Sequence, residues 1–222
     1  VHTVRLPDEE VVLLAHMIGD GSYVKRQRIR YASIDEENLS AVARAATHFG
    51  VTAVRDDYPA ARVTTLRLPA PYRLTHGKRN PVAAWLDRLG LFGKRSHEKF
   101  VPDEVFALPN DQAAMFLRHL WATDGSVRWD AKVRQGRVYY ASTSRRLIDD
   151  VAQLLLRLGI LTRIYRVRKA GYRDGWHLQI QGAENQLRFL RHIGVNGAKD
   201  IAAREVIGNL ETVVRNTNAD TV

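Results

Sequence analysis

Apolar residues recur along this chain with two spacings, and the changes of spacing outline its elements. Val11, Leu14, Ala15 and Ile18 fall on one helical face. Asp8 stands where a helix cap is expected, Glu9 and Glu10 place acids in the first turn, and the Gly of Asp20-Gly21 supplies a stop. Alternation then predicts a hairpin with strands near 22–25 and 28–34. A helix over 36–49 carries Leu39, Val42, Ala46 and Phe49 on one face and ends at Gly50. Strands near 52–56 and 62–68 precede a third helix over 80–90, ended by Gly90. The same order follows again: helix 110–123, strands near 126–129 and 137–143, helix 145–158, strands near 161–168 and 175–181, helix 183–193. A last helix, about 199–214, has no counterpart in the first half.

The recurrence is also one of residues. LLAHMIGDG (13–21) and LRHLWATDG (117–125) lie 104 apart, and each is followed by Ser. Tyr31-Ala32-Ser33 matches Tyr140-Ala141-Ser142, and HFGV (48–51) matches RLGI (157–160), both at an offset of 109. WLDRLGLFGK (85–94) matches FLRHIGVNGA (189–198), again at 104. Several blocks in one order point to a duplicated unit. The fold class predicted is α+β, an αββαββα unit repeated, over residues 1–104 with a linker and 105–222 with the extra helix.

The chain has 222 residues, 45 % of them hydrophobic and 26 % charged, enough to bury a core. It has no cysteine, which excludes a disulfide scaffold and any cysteine nucleophile or zinc ligand in this stretch. No apolar run reaches membrane-spanning length and the N-terminus has no signal-like segment, so a soluble, cytoplasmic protein is expected. The formal charge is +10, Arg outnumbers Lys 27 to 7, and residues 112–222 carry a net of +8 against +2 before them. That balance makes nucleic acid the first partner to consider. The eight histidines show no HExxH spacing, and no Walker A or GxGxxG motif occurs, so neither zinc nor a nucleotide cofactor is expected.

Asp20 and Asp124 close the first helix of each repeat. A carboxylate at a helix C-terminus meets unpaired carbonyls and is unfavourable there unless a cation binds. Carboxylate and carbonyl oxygens make a hard site suited to Mg²⁺. One Asp-Gly is ordinarily only a helix stop. Two at equivalent positions of a duplication can meet on a pseudo-two-fold axis, an arrangement suited to phosphodiester hydrolysis. Ala15 and Gly19, small and four apart, permit close helix contact. Trp121, like Trp85, Leu86, Leu89, Phe189, Leu190 and Ile193, reads as core.

The two nonamers, the Gly-ended helices, the repeat order and the block GLFGKRSHEKFVPDEVFAL (90–108) together resemble the single-chain LAGLIDADG homing endonucleases, in particular the endonuclease domains of bacterial, perhaps mycobacterial, inteins. The resemblance implies two saddle-shaped antiparallel sheets about a central pair of helices, lying on the major groove of double-stranded DNA. It makes Asp20 and Asp124 metal-binding catalytic acids, with the carbonyls of Gly19 and Thr123 as further ligands. Mg²⁺ is the implied metal, with Mn²⁺ able to substitute. Lys99 matches the family's basic active-site residue, with an electrostatic role. Lys199 aligns with Arg95, so a single lysine is carried over. His119 and His16 stand where the family prefers a small residue and Leu, which leaves the closeness of the two helices open.

Tyr23, Lys25, Arg26, Gln27, Arg28 and Arg30 crowd the first hairpin, and Arg128, Trp129, Lys132, Arg134, Gln135 and Arg137 the second. Such a ribbon fits the major groove; it also suits a solvated edge that blocks aggregation. Arg163, Arg166, Arg168, Lys169 and Arg173 are read as phosphate contacts. The expected function is a monomeric, site-specific double-strand DNA endonuclease from an intein in a larger host protein. Alternatives are a catalytically decayed DNA-binding module and an RNA maturase; a two-carboxylate glycosidase is disfavoured by the charge. Val1 and the lack of a closing His-Asn mean that splicing is not expected of this stretch.

Overall fold

The computed structural model describes residues 3–57, 60, 62–168 and 170–212. Its elements run α1 (Asp8–Gly19), β1 (Gly21–Ser22), β2 (Arg30–Ser33), α2 (Glu36–Thr47), β3 (Val54–Asp56), β4 (Thr64–Arg67) and α3 (Pro81–Arg88). A linker with a short 3₁₀ turn (Ser96–Glu98) and the four-residue α4 (Asp103–Phe106) leads to the second series. That series is α5 (Asn110–Asp124), β5 (Gly125–Asp130), β6 (Gln135–Ser142), α6 (Arg145–Arg157), β7 (Thr162–Val167), β8 (Gly175–Ile180), α7 (Gly182–His192) and α8 (Lys199–Thr212). The predicted αββαββα order is therefore present twice, with two additions in the linker that have no apolar period to announce them.

Each series builds one antiparallel four-stranded sheet, in the orders β1-β2-β4-β3 and β5-β6-β8-β7. Helices cover one face of each sheet, and α1 packs against α5 at the centre. Local chemistry sets the helix starts. The Asp35 carboxylate accepts from the amides of Glu37 and Asn38 at the head of α2. Asn80 does the same for Val82 and Ala83 ahead of Pro81, and Ser144 Oγ accepts from Leu147 N at the head of α6. Asp8 is not a cap: it is the first residue of α1, and its carboxylate accepts from buried Gln112 of α5 at 2.6 Å. Gln112 also exchanges hydrogen bonds with the backbone of Leu6, so the two central helices are tied at their N-terminal ends.

The first hairpin differs from expectation. β1 has two residues, and 23–29 is a loop. Tyr23 and Ile29 turn into the core, and their carbonyls accept from Gly93 N and Leu68 N, both at 3.0 Å, instead of pairing with each other. In the second hairpin six register pairs run from Gly125↔Tyr140 to Asp130↔Gln135. The hairpin turns end in Arg26 and Arg134, whose φ values are +65° and +49°.

The central interface is closer than the bulk of its residues suggests. A Cβ on Gly19 would stand 2.0 Å from Thr123 Oγ1, so only glycine admits Thr123 at this crossing. His16, fully buried, bonds Tyr31 Oη through Nδ1 (2.9 Å) and His119 Nδ1 through Nε2 (3.0 Å). The larger second-copy residues are thus accommodated by hydrogen bonding across the interface. Burial, with His119 adding to it, lowers the His16 pKa to about 3, and burial with Arg118 and Arg44 lowers that of His119 to about 4. Both rings are neutral in the fold and gain a proton more readily when unfolded, near 6.5. Stability is therefore complete above pH 6.5 and falls below it, at about 1.4 kcal/mol per pH unit for each histidine down to its folded pKa. Urea unfolding at pH 7 and pH 5 measures the loss; His119→Leu should flatten the slope.

Candidate active site

α1 and α5 meet near their C-terminal ends, and each runs straight into the first strand of its sheet. That abrupt turn places Asp20 and Asp124 at equivalent positions on the axis relating the two halves. Both residues are open to solvent on one side. Burial on their other sides and the Asp124 charge push the Asp20 carboxyl up to about 6, against the pull of Lys99 and Lys199. The Asp124 carboxyl is raised as well, again by burial and against the same two lysines. Mutual repulsion of this kind marks two carboxylates converging on one place.

Lys99 is 4 % exposed. Its ammonium donates to the carbonyls of Met17 (3.2 Å), Gly19 (3.0 Å) and Gly21 (2.8 Å), and sits 5.1 Å from the centre of the Tyr23 ring. It therefore closes the electronegative end of α1. Lys199 does the same for α5. Its ammonium reaches the carbonyls of Trp121 (3.4 Å), Ala122 (2.8 Å), Thr123 (2.6 Å) and Gly125 (2.7 Å). Met17, Gly19 and Gly21 correspond to Trp121, Thr123 and Gly125 at the repeat's offset of 104, so the two lysines are counterparts. Alignment misses this because the path to Lys99 is four residues longer. Gly93 and Gly197 correspond, but Lys99 lies six residues after the first and Lys199 two after the second; the extra residues form the 3₁₀ turn. Burial lowers the Lys99 pKa to about 8 and lowers that of Lys199, while both aspartates pull the other way.

The carbonyls of Gly19 and Thr123, expected to reach a metal, each accept from a lysine; one lone pair on each remains for a cation. Among the described residues no group of three or more His, Asp or Glu side chains gathers as a metal cage. The donor set nevertheless fits a hard divalent cation: two converging carboxylates, hard carbonyl oxygens beside them, and like-charge repulsion that a cation between them would relieve.

The surface residues sort by strand register. On the second sheet Arg128, Arg137, Tyr139, Arg163, Tyr165, His177 and Gln179 share the face away from the helices. Tyr139 and His177 stack there at 4.8 Å. Arg30 and Arg67 lie on the corresponding face of the first sheet, where Arg67 pairs with Asp56. Lys25, Arg26, Gln27, Arg28, Lys132, Arg134 and Gln135 are exposed at or beside the hairpin turns, and Arg168 just past β7.

Three sequence-derived assignments do not fit this surface. Tyr23 is fully buried beside Lys99, because its backbone is drawn inward by Gly93. Trp129 shares the parity of Val127 and packs toward the core. Arg166 is opposite Trp176 on the helix-side face and is paired with Asp174. Lys169 lies outside the described residues. Tyr139, Tyr165, His177 and Gln179 were missed; counting outward by twos from the apolar Val138, Tyr140, Leu178 and Ile180 would have found them. The first half has one further feature: residues 69–80 have no counterpart in the second. With the 26–29 loop they wall a groove of about 680 Å³ that carries Arg26, Arg28, Lys78 and Arg79 beside Tyr72 and Phe92.

Residues 111–194 match the LAGLIDADG-like domain. The fold is the LAGLIDADG fold. A mesophilic variant of the homing endonuclease I-DmoI superposes with a TM-score of 0.57 at 14 % identity, over 84 % of this chain and 95 % of that one. Full-length DUF199/WhiA from Thermatoga maritima gives 0.58 at 15 %, over 97 % of this chain and 65 % of that one. In sequence, the replicative DNA helicase DnaB of Synechocystis is 39 % identical over 98 % of this chain. RecA of Mycobacterium tuberculosis is 29 % identical over 91 %. The chain spans about a quarter of the length of each. Among the described residues no helix is long and apolar enough to cross a membrane.

Proposed function

We propose that this chain is a site-specific, divalent-metal-dependent double-strand DNA endonuclease, carried as an intein's homing domain within a longer host protein. The observation that carries the reading is the convergence of Asp20 and Asp124 between Lys99 and Lys199. Other relatives of homing type support it: I-DmoI has been solved in complex with DNA and Mn, and with its target DNA in the presence of Mg. The insertion is supported by the relatives' names. One stretch of this length recurs as about a quarter to a third of a helicase, a recombinase and a gyrase subunit, as an element inserted into different hosts would.

Asp20 and Asp124 would hold the cation, with Mg²⁺ the working ion and Mn²⁺ a substitute. A bound divalent cation supplies charge neutralisation at the scissile phosphate and acidifies water near it. The lysines hold the helix-end carbonyls, which keeps the two aspartates in place, and add positive charge where the phosphate gathers negative charge. The outward faces of the two sheets carry the duplex: Arg128, Arg137, Arg163 and Arg30 bind phosphates or guanine edges, and Tyr139, Tyr165 and Gln179 present polar tips to bases. The groove beside residues 69–80 extends the basic surface on the first half only. Arg128→Ala and Arg163→Ala should each lower the slope of log affinity against log salt by about 1 if the side chain neutralises a phosphate. Fluorescence anisotropy across a salt series reads this directly.

The test of function uses a supercoiled plasmid carrying the uninterrupted host-gene junction. Linear product in Mg²⁺, and none with EDTA, is expected. Tight, salt-sensitive binding without cutting in Mg²⁺ or Mn²⁺ would establish the binding-only alternative, and selective binding of structured intron RNA the maturase.

A further inference from the structure

Each lysine of the site is delivered by a strap, and each strap is anchored to the repeat opposite the one its lysine serves. Lys99 holds the carbonyls of α1, in the first repeat. Its own carbonyl accepts from Ser144 Oγ (2.6 Å), the cap of α6 in the second repeat, and Val101 N donates to Asp150 of the same helix (2.9 Å). The Arg146 guanidinium of that helix lies 4.0 Å from the centre of the Phe100 ring. Lys199 holds the carbonyls of α5, in the second repeat. The residue before it, Ala198, donates its amide to Asp35 Oδ2 (2.6 Å), the cap of α2 in the first repeat. Asn196 Nδ2 donates to Asn38 Oδ1 of that helix (2.8 Å). Gly197 has φ +78°, and a Cβ there would stand 2.2 Å from Asp35 Oδ2, so the strap is pressed onto the cap.

Asp35 and Ser144 are counterparts at the offset of 109. They do the same two jobs with opposite chemistry. Each accepts amide hydrogen bonds that start its own helix. Each also fixes a strap, Asp35 by accepting from an amide and Ser144 by donating to a carbonyl.

We propose that Asp35 and Ser144 are positioning residues that act across the pseudo-two-fold axis: Asp35 sets Lys199 on the second half-site, and Ser144 sets Lys99 on the first. Loosening one cap therefore disturbs the half-site of the other repeat. The crossing stands on the contacts alone; its effect on cutting rests on the endonuclease reading.

Asp35→Asn and Ser144→Gly separate the two jobs. Asn keeps the helix cap but can turn an amide N–H toward Ala198 N, and Gly is tolerated as a cap but has no hydroxyl for Lys99. Thermal unfolding first checks that both variants fold. Amine-reactive labelling of the full chain, without DNA or metal, is then read by mass spectrometry at each lysine. Labelling of Lys199 relative to Lys99 should rise about fivefold in Asp35→Asn, the population change that one lost hydrogen bond produces, and fall correspondingly in Ser144→Gly. Ser144→Thr keeps the hydroxyl and should restore the wild-type ratio. On a target duplex the two variants should accumulate nicked intermediates with opposite strands intact. Equal change at both lysines, no change, or change at the lysine of the variant's own repeat would overturn the proposal. A shifted labelling ratio with no cutting by any form would keep the crossing and refute the endonuclease reading instead.

Discussion

Asp20→Asn and Asp124→Asn are each expected to slow double-strand cleavage by about 10³-fold or more, roughly 4 kcal/mol of lost transition-state stabilisation. Neither should weaken the fold. Both carboxyls sit above their ordinary pKa, so near neutral pH each is charged at a cost to the folded state. The sign follows from the raised pKa: protonation is favoured more in the fold than out of it, and the ionised form opposes folding above about pH 6 for Asp20. The neutral amide removes that opposition. The melting temperature of each variant at pH 7.5 should therefore equal or exceed that of the wild type while single-turnover cleavage collapses. Loss of activity together with a large fall in melting temperature would show the aspartates to be structural. Stability sacrificed at a working site is a common pattern.

The second large effect concerns the helix crossing. In Gly19→Ala the added methyl overlaps the whole side chain of Thr123, whose Oγ1, Cβ and Cγ2 would lie 2.0, 2.4 and 2.6 Å from it. Overpacking at this rigid junction should cost about 1–3 kcal/mol. Helix propensity acts the other way, since Ala is the better helix former by about 1 kcal/mol, so any net loss understates the clash. Thr123→Gly removes every atom in conflict. The double variant should regain most of the stability, and the cycle of four proteins should show a favourable coupling of about 1–3 kcal/mol. Additive effects in urea unfolding would mean that the two helices are not in the close contact described. The double variant also moves the small residue from one repeat to the other, as the pseudo-symmetry permits.

Much of the fold was legible because its two halves repeat and because its core faces are regular. Leu39, Val42 and Ala46 on α2 and Leu147, Val151 and Leu155 on α6 are both apolar and buried. Gly50, Gly90, Gly159 and Gly194 each follow a helix with positive φ. Gly21 and Gly125 do not: they open strands, and their lack of a side chain answers crowding by Met17 and Trp121. The first hairpin was misread because alternation of Tyr, Lys, Arg and Ile imitates a strand where tertiary hydrogen bonds to Gly93 and Leu68 hold a loop.

At the site, paired Asp-Gly motifs pointed to Asp20 and Asp124, but the second lysine was hidden. Lys199 is defined by what its ammonium touches, and a four-residue difference in linker length shifts it out of alignment. Asp35 and Ser144 looked like plain helix caps, because nothing in local spacing announces the strap each holds from the other repeat. The side chains available to DNA needed the strand register. Parity separates Arg137 and Tyr139 from Trp129 and Arg166, whereas charge and aromatic content do not.

The central claim is that Asp20 and Asp124 together hold the divalent ion of one cutting centre. The most direct measurement titrates Mn²⁺ into the complex with target duplex and reads bound manganese by electron paramagnetic resonance, for the wild type and for Asp20→Asn/Asp124→Asn. The expected result is saturable uptake by the wild-type complex that the double variant lacks although it binds the duplex as tightly. Equal uptake by both complexes would place the metal elsewhere and contradict the assignment.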